Sequence, residues 1–134
     1  MIHADTSFLV DLLREATRDV RGPATVLLDE LVREEIRVGV YVVCELLAGA
    51  EGSQRPGVER QRVRRLCDSF VVTYPDERFA SVYARLLATL RGGGRSIPTM
   101  DLLIATAAIA DGAAIVTRNS KHFSRVPGLE IHGY

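Results

Sequence analysis

The stretch TMDLLIATAAIADGAAIVT, residues 99–117, decides the fold class because it joins a helix closely to a strand. Residues 99–110 are apolar on most faces, a pattern that is typical of a buried helix. Gly112 is predicted to be the C′ residue that ends this helix, since glycine adopts the backbone conformation of that position without strain. Residues 113–117 are predicted to form a strand. A helix followed closely by a strand indicates an α/β domain.

The alternation of helix and strand continues on both sides of this stretch. We predict strands over residues 2–4, 36–43, 70–73, 113–117 and 129–134. We predict helices that begin with Ser7 as a cap, with Pro23 (to residue 35), at Cys44, at residue 58, at Pro75 and at Thr99. Strands separated by helices of ordinary length favour a mainly parallel sheet. No repeat or second domain is visible, so residues 1–134 are expected to form one domain.

The composition is typical of a soluble, intracellular protein. The chain has 134 residues, 47% of them hydrophobic, and equal numbers of basic and acidic residues, 17 of each. The net charge therefore does not indicate a nucleic-acid partner, although a local basic patch can still attract a polyanion. Cys44 and Cys67 fit neither a zinc site nor a disulfide framework. Because we see no secretory signal and no membrane-spanning apolar run, we expect a cytoplasmic protein without membrane contact.

Polar side chains follow several of the predicted strands, at the point where each strand ends. Asp5 follows the first strand, Glu45 follows the second, and Thr117 and Asn119 lie at the end of the strand 113–117. In an open α/β sheet, ligands gather outside the carboxyl ends of the strands. Three separate regions of the chain are therefore expected to bring polar groups to one edge of the sheet.

Asp101 is a fourth polar residue in an unusual place, near the start of the apolar helix. A purely structural explanation exists, because an acid in the first turn of a helix gains about 0.3–1 kcal/mol from the helix dipole. The same explanation applies to Asp5 in a strand-to-helix turn. Glu45 has apolar residues on both sides, and a buried unpaired carboxylate is costly. It requires a cation, a proton or a metal ion.

Three converging carboxylates would repel one another and raise their pKa values, whereas a divalent cation would stabilise them. Ligand sets made only of oxygen select hard ions such as Mg²⁺ or Mn²⁺. Such a site suits phosphoryl chemistry, in which the metal activates water and neutralises charge on the phosphate.

Four segments contain most of the polar residues discussed above: ADTSFLVDLL (4–13), VYVVCELLAGA (40–50), IPTMDLLIATAA (97–108) and AAIVTRNSKHF (113–123). Together they resemble the four motifs of the PIN-domain family. The similarity is greatest to its small bacterial members, the VapC-type ribonuclease toxins of type II toxin–antitoxin modules. Their order and separation match the family over nearly the whole chain. The resemblance implies a three-layer α/β/α fold.

The resemblance also implies an acidic centre that holds Mg²⁺ or Mn²⁺. Its metal ligands would be Asp5, Asp101 and Glu45. The resemblance also implies roles for Thr6, Ser7 and Asn119. Thr117 and Arg118 are predicted to bind substrate, because they lie beside Asn119 and close to the proposed cleft. Thr6 or Ser7 would orient Asp5, and Asn119 or His122 stands where many relatives carry an aspartate. With three carboxylates, one firmly held metal ion is expected, and a second ion would bind only together with substrate.

The implied reaction is hydrolysis of RNA phosphodiester bonds by a metal-activated water. The implied partners are an RNA substrate, a VapB-type antitoxin that blocks the acidic cleft, and a second copy of the chain as a homodimer. The apolar stripe on the first helix would form a groove for an antitoxin helix or belong to the ordinary core. Basic residues between 60 and 65, with Arg91 and Arg95, would contact phosphates or form a solvated face.

Two other interpretations compete with this one. The first is a PIN-type nuclease that acts on another nucleic acid or in RNA maturation. The second is a catalytically silent PIN-like binding module, whose acids only stabilise the starts of helices. A serine hydrolase is disfavoured because the chain has no GxSxG motif.

Overall fold

Five parallel strands form the sheet of the structure, a computed structural model that describes residues 1–134. The strands are β1 (Ile2–Ala4), β2 (Ile36–Gly39), β3 (Val71–Thr73), β4 (Ala114–Val116) and β5 (Ile131–His132). They lie in the order β3-β2-β1-β4-β5, and every neighbouring pair is parallel. Helices flank this sheet, which confirms the predicted α/β/α fold with a parallel central sheet.

The helices connect the strands and pack in two groups. They are α1 (Thr6–Thr17), α2 (Pro23–Glu30), α3 (Val40–Glu51), α4 (Pro56–Cys67), α5 (Phe79–Gly92), α6 (Thr99–Ala110) and α7 (Ser120–Phe123). Helix α1 contacts α2, α3 and α4, whereas α5 packs mainly against α6. No helix combines the length and the apolar character that crossing a membrane would require.

The central position of β1 explains why all of its residues are buried. Ile2 pairs with Ile36 of β2 on one side and with Ala114 of β4 on the other. A parallel strand with a neighbour on each side and helices on both faces has little contact with water, which favours apolar side chains throughout. His3 is the polar exception. Its Nε2 lies 2.7 Å from Asp111 Oδ2, so the imidazole has a hydrogen-bond partner inside the protein.

Helix α6 ends as the sequence predicts. Gly112 has a φ of +63°, the left-handed conformation that favours glycine at C′. The N–H of Gly112 donates to the carbonyl of Ile109, and the N–H of Ala113 donates to the carbonyl of Ala108. These two bonds form a Schellman motif, which satisfies carbonyls that the helix would otherwise leave free. The chain then enters β4 directly.

The predicted strand over residues 36–43 is wrong in its second half. β2 ends at Gly39, and residues from Val40 onward belong to helix α3. Gly39 has extended backbone angles and occupies the N-cap position of that helix. A short apolar run fits a buried strand and a buried helix equally well, so periodicity does not separate them. The helix places Glu45 one turn inside α3 rather than just after a strand.

Three further predictions about helix ends need correction. The helix predicted from Pro75 begins at Phe79, because the Asp76 carboxylate accepts the backbone N–H of Arg78 at 2.9 Å and holds the preceding residues in a turn. The helix predicted over 23–35 ends at Glu30. Ser7 is not the cap of α1. Asp5 occupies the N-cap position, and Ser7 lies within the first turn.

A buried carboxylate joins α1 to α2. Glu15 of α1 is 9% exposed, and its two oxygens accept the backbone N–H groups of Ala24 and Thr25 at 3.0 and 2.9 Å. A Cβ atom at Gly22 would lie only 2.5 Å from this carboxyl group, so a larger residue there would displace the carboxylate from the two amides. Burial tends to raise the pKa of Glu15, but the amide donors of Thr25 and Ala24 outweigh it and hold the pKa below its usual range.

We expect Glu15→Ala to lower the free energy of unfolding by about 1–3 kcal/mol, because it leaves buried N–H groups at the start of α2 without an acceptor. Since folding depresses the pKa of Glu15, its stabilising effect is present above the carboxyl's ordinary pKa and disappears as the pH falls through the folded-state pKa. Urea unfolding as a function of pH measures both effects. Glu30→Ala is the control, because the Glu30 side chain is exposed and makes no hydrogen bond. Equal unfolding midpoints for the two variants would contradict the expectation.

Candidate active site

The candidate site lies where the carboxyl ends of β1 and β4 meet. The backbone N–H of Asp5, directly after β1, donates to the carbonyl of Val116 at the end of β4, at 2.9 Å. Strands β2 and β3 lie to one side of β1, and β4 and β5 lie to the other. The strand order therefore reverses between β1 and β4, and parallel sheets bind ligands at such a switch point.

Asp5 is the most buried acid in the protein, with 4% of its surface exposed. Its Oδ2 accepts the Thr117 hydroxyl at 2.7 Å and the Ser7 hydroxyl at 2.9 Å. Burial raises the pKa of Asp5. The hydroxyl donors oppose this effect, and the negative charge of Asp101 adds to it. The charged form of Asp5 is therefore less stable than it would be in water, and a bound cation would stabilise it.

Backbone amides fix the direction of both hydroxyl groups. The N–H of Asn119 donates to Thr117 Oγ1 at 2.8 Å, and the N–H of Arg118 donates to Ser7 Oγ at 3.1 Å. Each hydroxyl oxygen thus accepts from the loop after β4 and sends its own hydrogen to Asp5. The predicted residues Ser7 and Thr117 are therefore part of one polar network around the predicted residue Asp5.

Glu45 lies beside this network on α3. Its Oε1 accepts the hydroxyl of Thr6 at 2.6 Å, and Thr6 directly follows Asp5 in the chain. Glu45 is half-buried and forms no ion pair with an arginine or lysine. The structure thus brings the predicted residues Thr6 and Glu45 to the same edge of the sheet as Asp5.

Asp101 lies in the first turn of α6 and contacts α7. Its Oδ2 is 2.7 Å from His122 Nδ1, and the side-chain nitrogen of Asn119 is 3.0 Å from the same imidazole atom. A carboxylate accepts only, so His122 Nδ1 carries the hydrogen and donates it to Asp101. The same atom cannot also accept from an amide NH₂. Turning the Asn119 amide over would place its oxygen next to the Nδ1 hydrogen instead.

Asp5, Glu45 and Asp101 do not by themselves form a coordination set. No group of three or more acidic, imidazole or thiolate side chains is arranged to hold a metal ion. Asp101 is instead engaged by His122, and Glu45 by Thr6. The donor types nevertheless fit a hard cation, since Asp5 and Asp101 offer oxygen ligands and repel each other. The metal-binding roles of these three residues stay predictions.

The position of Arg118 beside Asn119 suggests a contact with the acidic cluster, but its side chain pairs with Asp11. Its Nε forms an ion pair with Asp11 Oδ2 at 3.3 Å, on α1, rather than with any residue of the acidic cluster. Asp11 also accepts the hydroxyl of Tyr134 at 2.7 Å. Sequence reasoning missed Asp11, Tyr134 and the contact of His122 with Asp101. The motif AAIVTRNSKHF contains His122, but only the fold brings it to Asp101.

Comparison with known proteins identifies the family. Residues 2–129 match the PIN domain family. The chain belongs to the PIN-domain family. It is 35% identical over 128 residues to Ribonuclease VapC19 of Mycobacterium tuberculosis (strain CDC 1551 / Oshkosh), and the alignment covers 94% of both chains. It is 30% identical over 126 residues to Ribonuclease VapC1 of Haemophilus influenzae (strain R2866), with 94% of this chain and 92% of the relative covered.

Solved structures agree with this assignment. The fold is similar to that of VapBC2 from Rickettsia felis, bound to a DNA fragment from their promoter, with a TM-score of 0.90 and 25% identity over 100% of this chain and 99% of that one. It is also similar to VapBC-1 from nontypeable Haemophilus influenzae, with a TM-score of 0.83, 27% identity and coverage of 99% and 98%. The predicted resemblance to VapC-type PIN domains is confirmed.

We expect Thr117→Val to raise the pKa of Asp5 further, because the substitution removes a hydrogen bond that stabilises the carboxylate. A ¹³C NMR titration of the aspartate carboxyl carbons in metal-free protein measures this change. Thr89→Val is the matched control, since Thr89 is exposed and its hydroxyl only bonds the Arg85 carbonyl of its own helix.

The same titration has a consequence for stability. Because folding raises the pKa of Asp5, its contribution is favourable below the ordinary aspartate pKa and is lost as the pH rises through the folded-state pKa. Because Thr117→Val raises the folded-state pKa of Asp5, the loss of stability should continue to a higher pH in the variant. An unchanged Asp5 titration in the variant would show that the hydroxyl does not stabilise the charged form.

Proposed function

We propose that this chain is the toxin of a type II toxin–antitoxin module and a metal-dependent endoribonuclease. The observation that carries the proposal is the buried Asp5 carboxylate at the β1–β4 switch point, close enough to Asp101 for their charges to repel. The relatives named Ribonuclease VapC supply the activity, and the VapBC structures supply the toxin–antitoxin context.

Asp5 and Asp101 would hold Mg²⁺ or Mn²⁺, and Glu45 would complete the set. The bound ion would supply an activated water and neutralise charge on the phosphate under attack. The chain's own residues would prepare this site. The hydroxyls of Ser7 and Thr117 stabilise the charged form of Asp5 and fix its orientation, since their hydrogens already point at it. His122 holds Asp101 by one oxygen and leaves the other free.

The substrate proposed is single-stranded or looped RNA. Unstacked bases and an accessible backbone let a phosphodiester approach a recessed acidic centre, which a duplex would not permit as easily. Arg118 lies in the loop after β4, where its backbone N–H donates to Ser7 Oγ and Ser7 donates to Asp5. Its exposed guanidinium is the group proposed to contact a phosphate near the cleft. Asn119 joins the two halves of the site, because its backbone contacts Thr117 and its side chain contacts His122.

The proposed protein partners are a VapB-type antitoxin and a second copy of the chain in a homodimer. The antitoxin would cover the acidic cleft and prevent cleavage. If the cognate antitoxin is added in a molar excess to active protein, RNA cleavage should stop, while an antitoxin from an unrelated module should leave it unchanged. Continued cleavage with a stable complex would show that the antitoxin binds elsewhere.

We expect Asp101→Asn to reduce RNA cleavage by about 100-fold or more, because it removes a charged ligand needed at the transition state. Purified, antitoxin-free protein is incubated with total cellular RNA and Mg²⁺ or Mn²⁺, with EDTA in parallel. Asp68→Asn is the control, since it changes the same charge at an exposed position without an ion pair. Circular dichroism checks that each variant is folded.

Three results separate the competing interpretations. Metal-dependent cleavage that is lost in EDTA and in Asp101→Asn supports the ribonuclease. Cleavage of DNA in preference to RNA would favour a nuclease of another kind. Equal behaviour of wild type and Asp101→Asn, with RNA bound and not cut, would favour a silent binding module and overturn the proposal.

A further inference from the structure

Asp11 and Tyr134 are not among the residues predicted for the site, yet Asp11 pairs with Arg118 and Tyr134 bonds Asp11. Asp11 is on α1, and its side chain is 14% exposed. Its Oδ2 receives the Tyr134 hydroxyl at 2.7 Å and lies 3.3 Å from Arg118 Nε. The ring of Tyr134 packs edge-on against buried Phe8, with centroids 5.4 Å apart. Aromatic packing and a hydrogen bond thus fix Tyr134, and Tyr134 fixes Asp11.

Arg118 is held at two points. Its backbone N–H donates to Ser7 Oγ, and its side chain pairs with Asp11 through Nε alone. Neither terminal nitrogen of the guanidinium donates a hydrogen bond to the protein, and the side chain is 54% exposed. Those terminal nitrogens form the planar pair of donors that binds a phosphate in bidentate fashion.

The charge of this cluster still favours an anion. Arg14 Nη1 lies 3.9 Å from the other carboxyl oxygen of Asp11, so one acid faces two arginines and the cluster keeps one positive charge. The pKa of Tyr134 is raised by burial and by its bond to Asp11, so the phenol stays a neutral donor. Asp11 therefore orients Arg118 without cancelling the attraction for phosphate.

We infer that Asp11, supported by Tyr134, is a positioning residue that holds the Arg118 guanidinium ready for a phosphate of the RNA substrate. This inference rests on the proposed function and adds the residues that determine how the substrate backbone is bound. An arginine tethered through Nε loses less side-chain freedom on binding than a free one, and this reduced cost appears as affinity. The alternative role has the opposite effect on affinity. If Asp11 only competed with phosphate for Arg118, it would weaken RNA binding.

The test measures RNA affinity in the absence of cleavage. A fluorescein-labelled single-stranded oligouridine is titrated by fluorescence anisotropy with protein in the Asp101→Asn background, over a range of salt concentrations. The variants are Asp11→Asn, Arg118→Ala, the double variant and Tyr134→Phe. Asp19→Asn and Tyr74→Phe are matched controls, because both side chains are exposed and form no ion pair or hydrogen bond. Asparagine also tolerates the positive φ of position 19.

We expect Asp11→Asn to weaken RNA binding by about three- to tenfold, which is within the range for neighbouring residues that act together. Arg118→Ala should weaken it at least as much and reduce the salt dependence of log K by about 0.7, the loss of one phosphate contact on a single strand. The double variant should bind no worse than Arg118→Ala. Tyr134→Phe should have a smaller effect in the same direction and covers the case in which Asp11→Asn fails to fold.

Two outcomes would overturn the inference. One is an Asp11→Asn affinity that equals or exceeds that of the parent, as expected if Asp11 only competes for Arg118. The other is a loss on Asp11→Asn that persists unchanged in the Arg118→Ala background. Both are independent of the proposed function, which fails instead if the wild-type chain with metal does not cut RNA. In the cleavage-competent protein, the same variants should raise KM more than they lower kcat.

Discussion

The parallel pairing of β1 with β4 is the constraint on which the candidate site depends. Backbone hydrogen bonds hold the two strands in one register, so the ends of β1 and β4 lie side by side. Asp5 leaves β1 and Thr117 leaves β4 at that point, and their side chains meet without long connections. Helix α6 ends in a Schellman turn just before β4, which places its other end, with Asp101, on the same side as Asp5. The strand order makes this edge a crevice rather than a flat surface.

Within the crevice, one buried charge determines the arrangement of its neighbours. A carboxylate with 4% exposure is costly, and the protein offsets part of that cost with two hydroxyl donors whose oxygens accept amides of the next loop. The repulsion from Asp101 is left uncompensated in the protein alone. Carboxylates with perturbed pKa values cluster at functional sites, where side chains are arranged for function rather than for stability. Glu15 is the contrast, since its burial is matched by two amide donors and it serves only to join α1 to α2.

The sequence was informative where a local rule operates. The alternation of helix and strand, the C′ role of Gly112 and the polar residues after the strands all follow from local chemistry, and the structure contains them. It was misleading where a local pattern has two solutions. The apolar run 36–43 divides into a strand and a helix at Gly39, and the turn at Asp76 delays α5 by capturing the N–H of Arg78. Both outcomes depend on packing and hydrogen bonds that hydrophobic spacing does not encode.

By itself, the sequence determined the α/β class, the resemblance to the PIN-domain family and the four motifs that carry the acidic residues. Only the tertiary structure decided which side chains touch. His122 bonds Asp101 across 21 residues, Glu45 bonds Thr6 across 39, and Tyr134 bonds Asp11 across 123. These contacts are set by the strand order and by the packing of α1, α3 and α7 around the sheet. Hydrogen bonds form over about 3 Å, whereas the chain that separates each pair of partners passes through at least one strand. The sequence therefore specifies which polar residues follow each strand, and the fold determines which side chain each of them contacts.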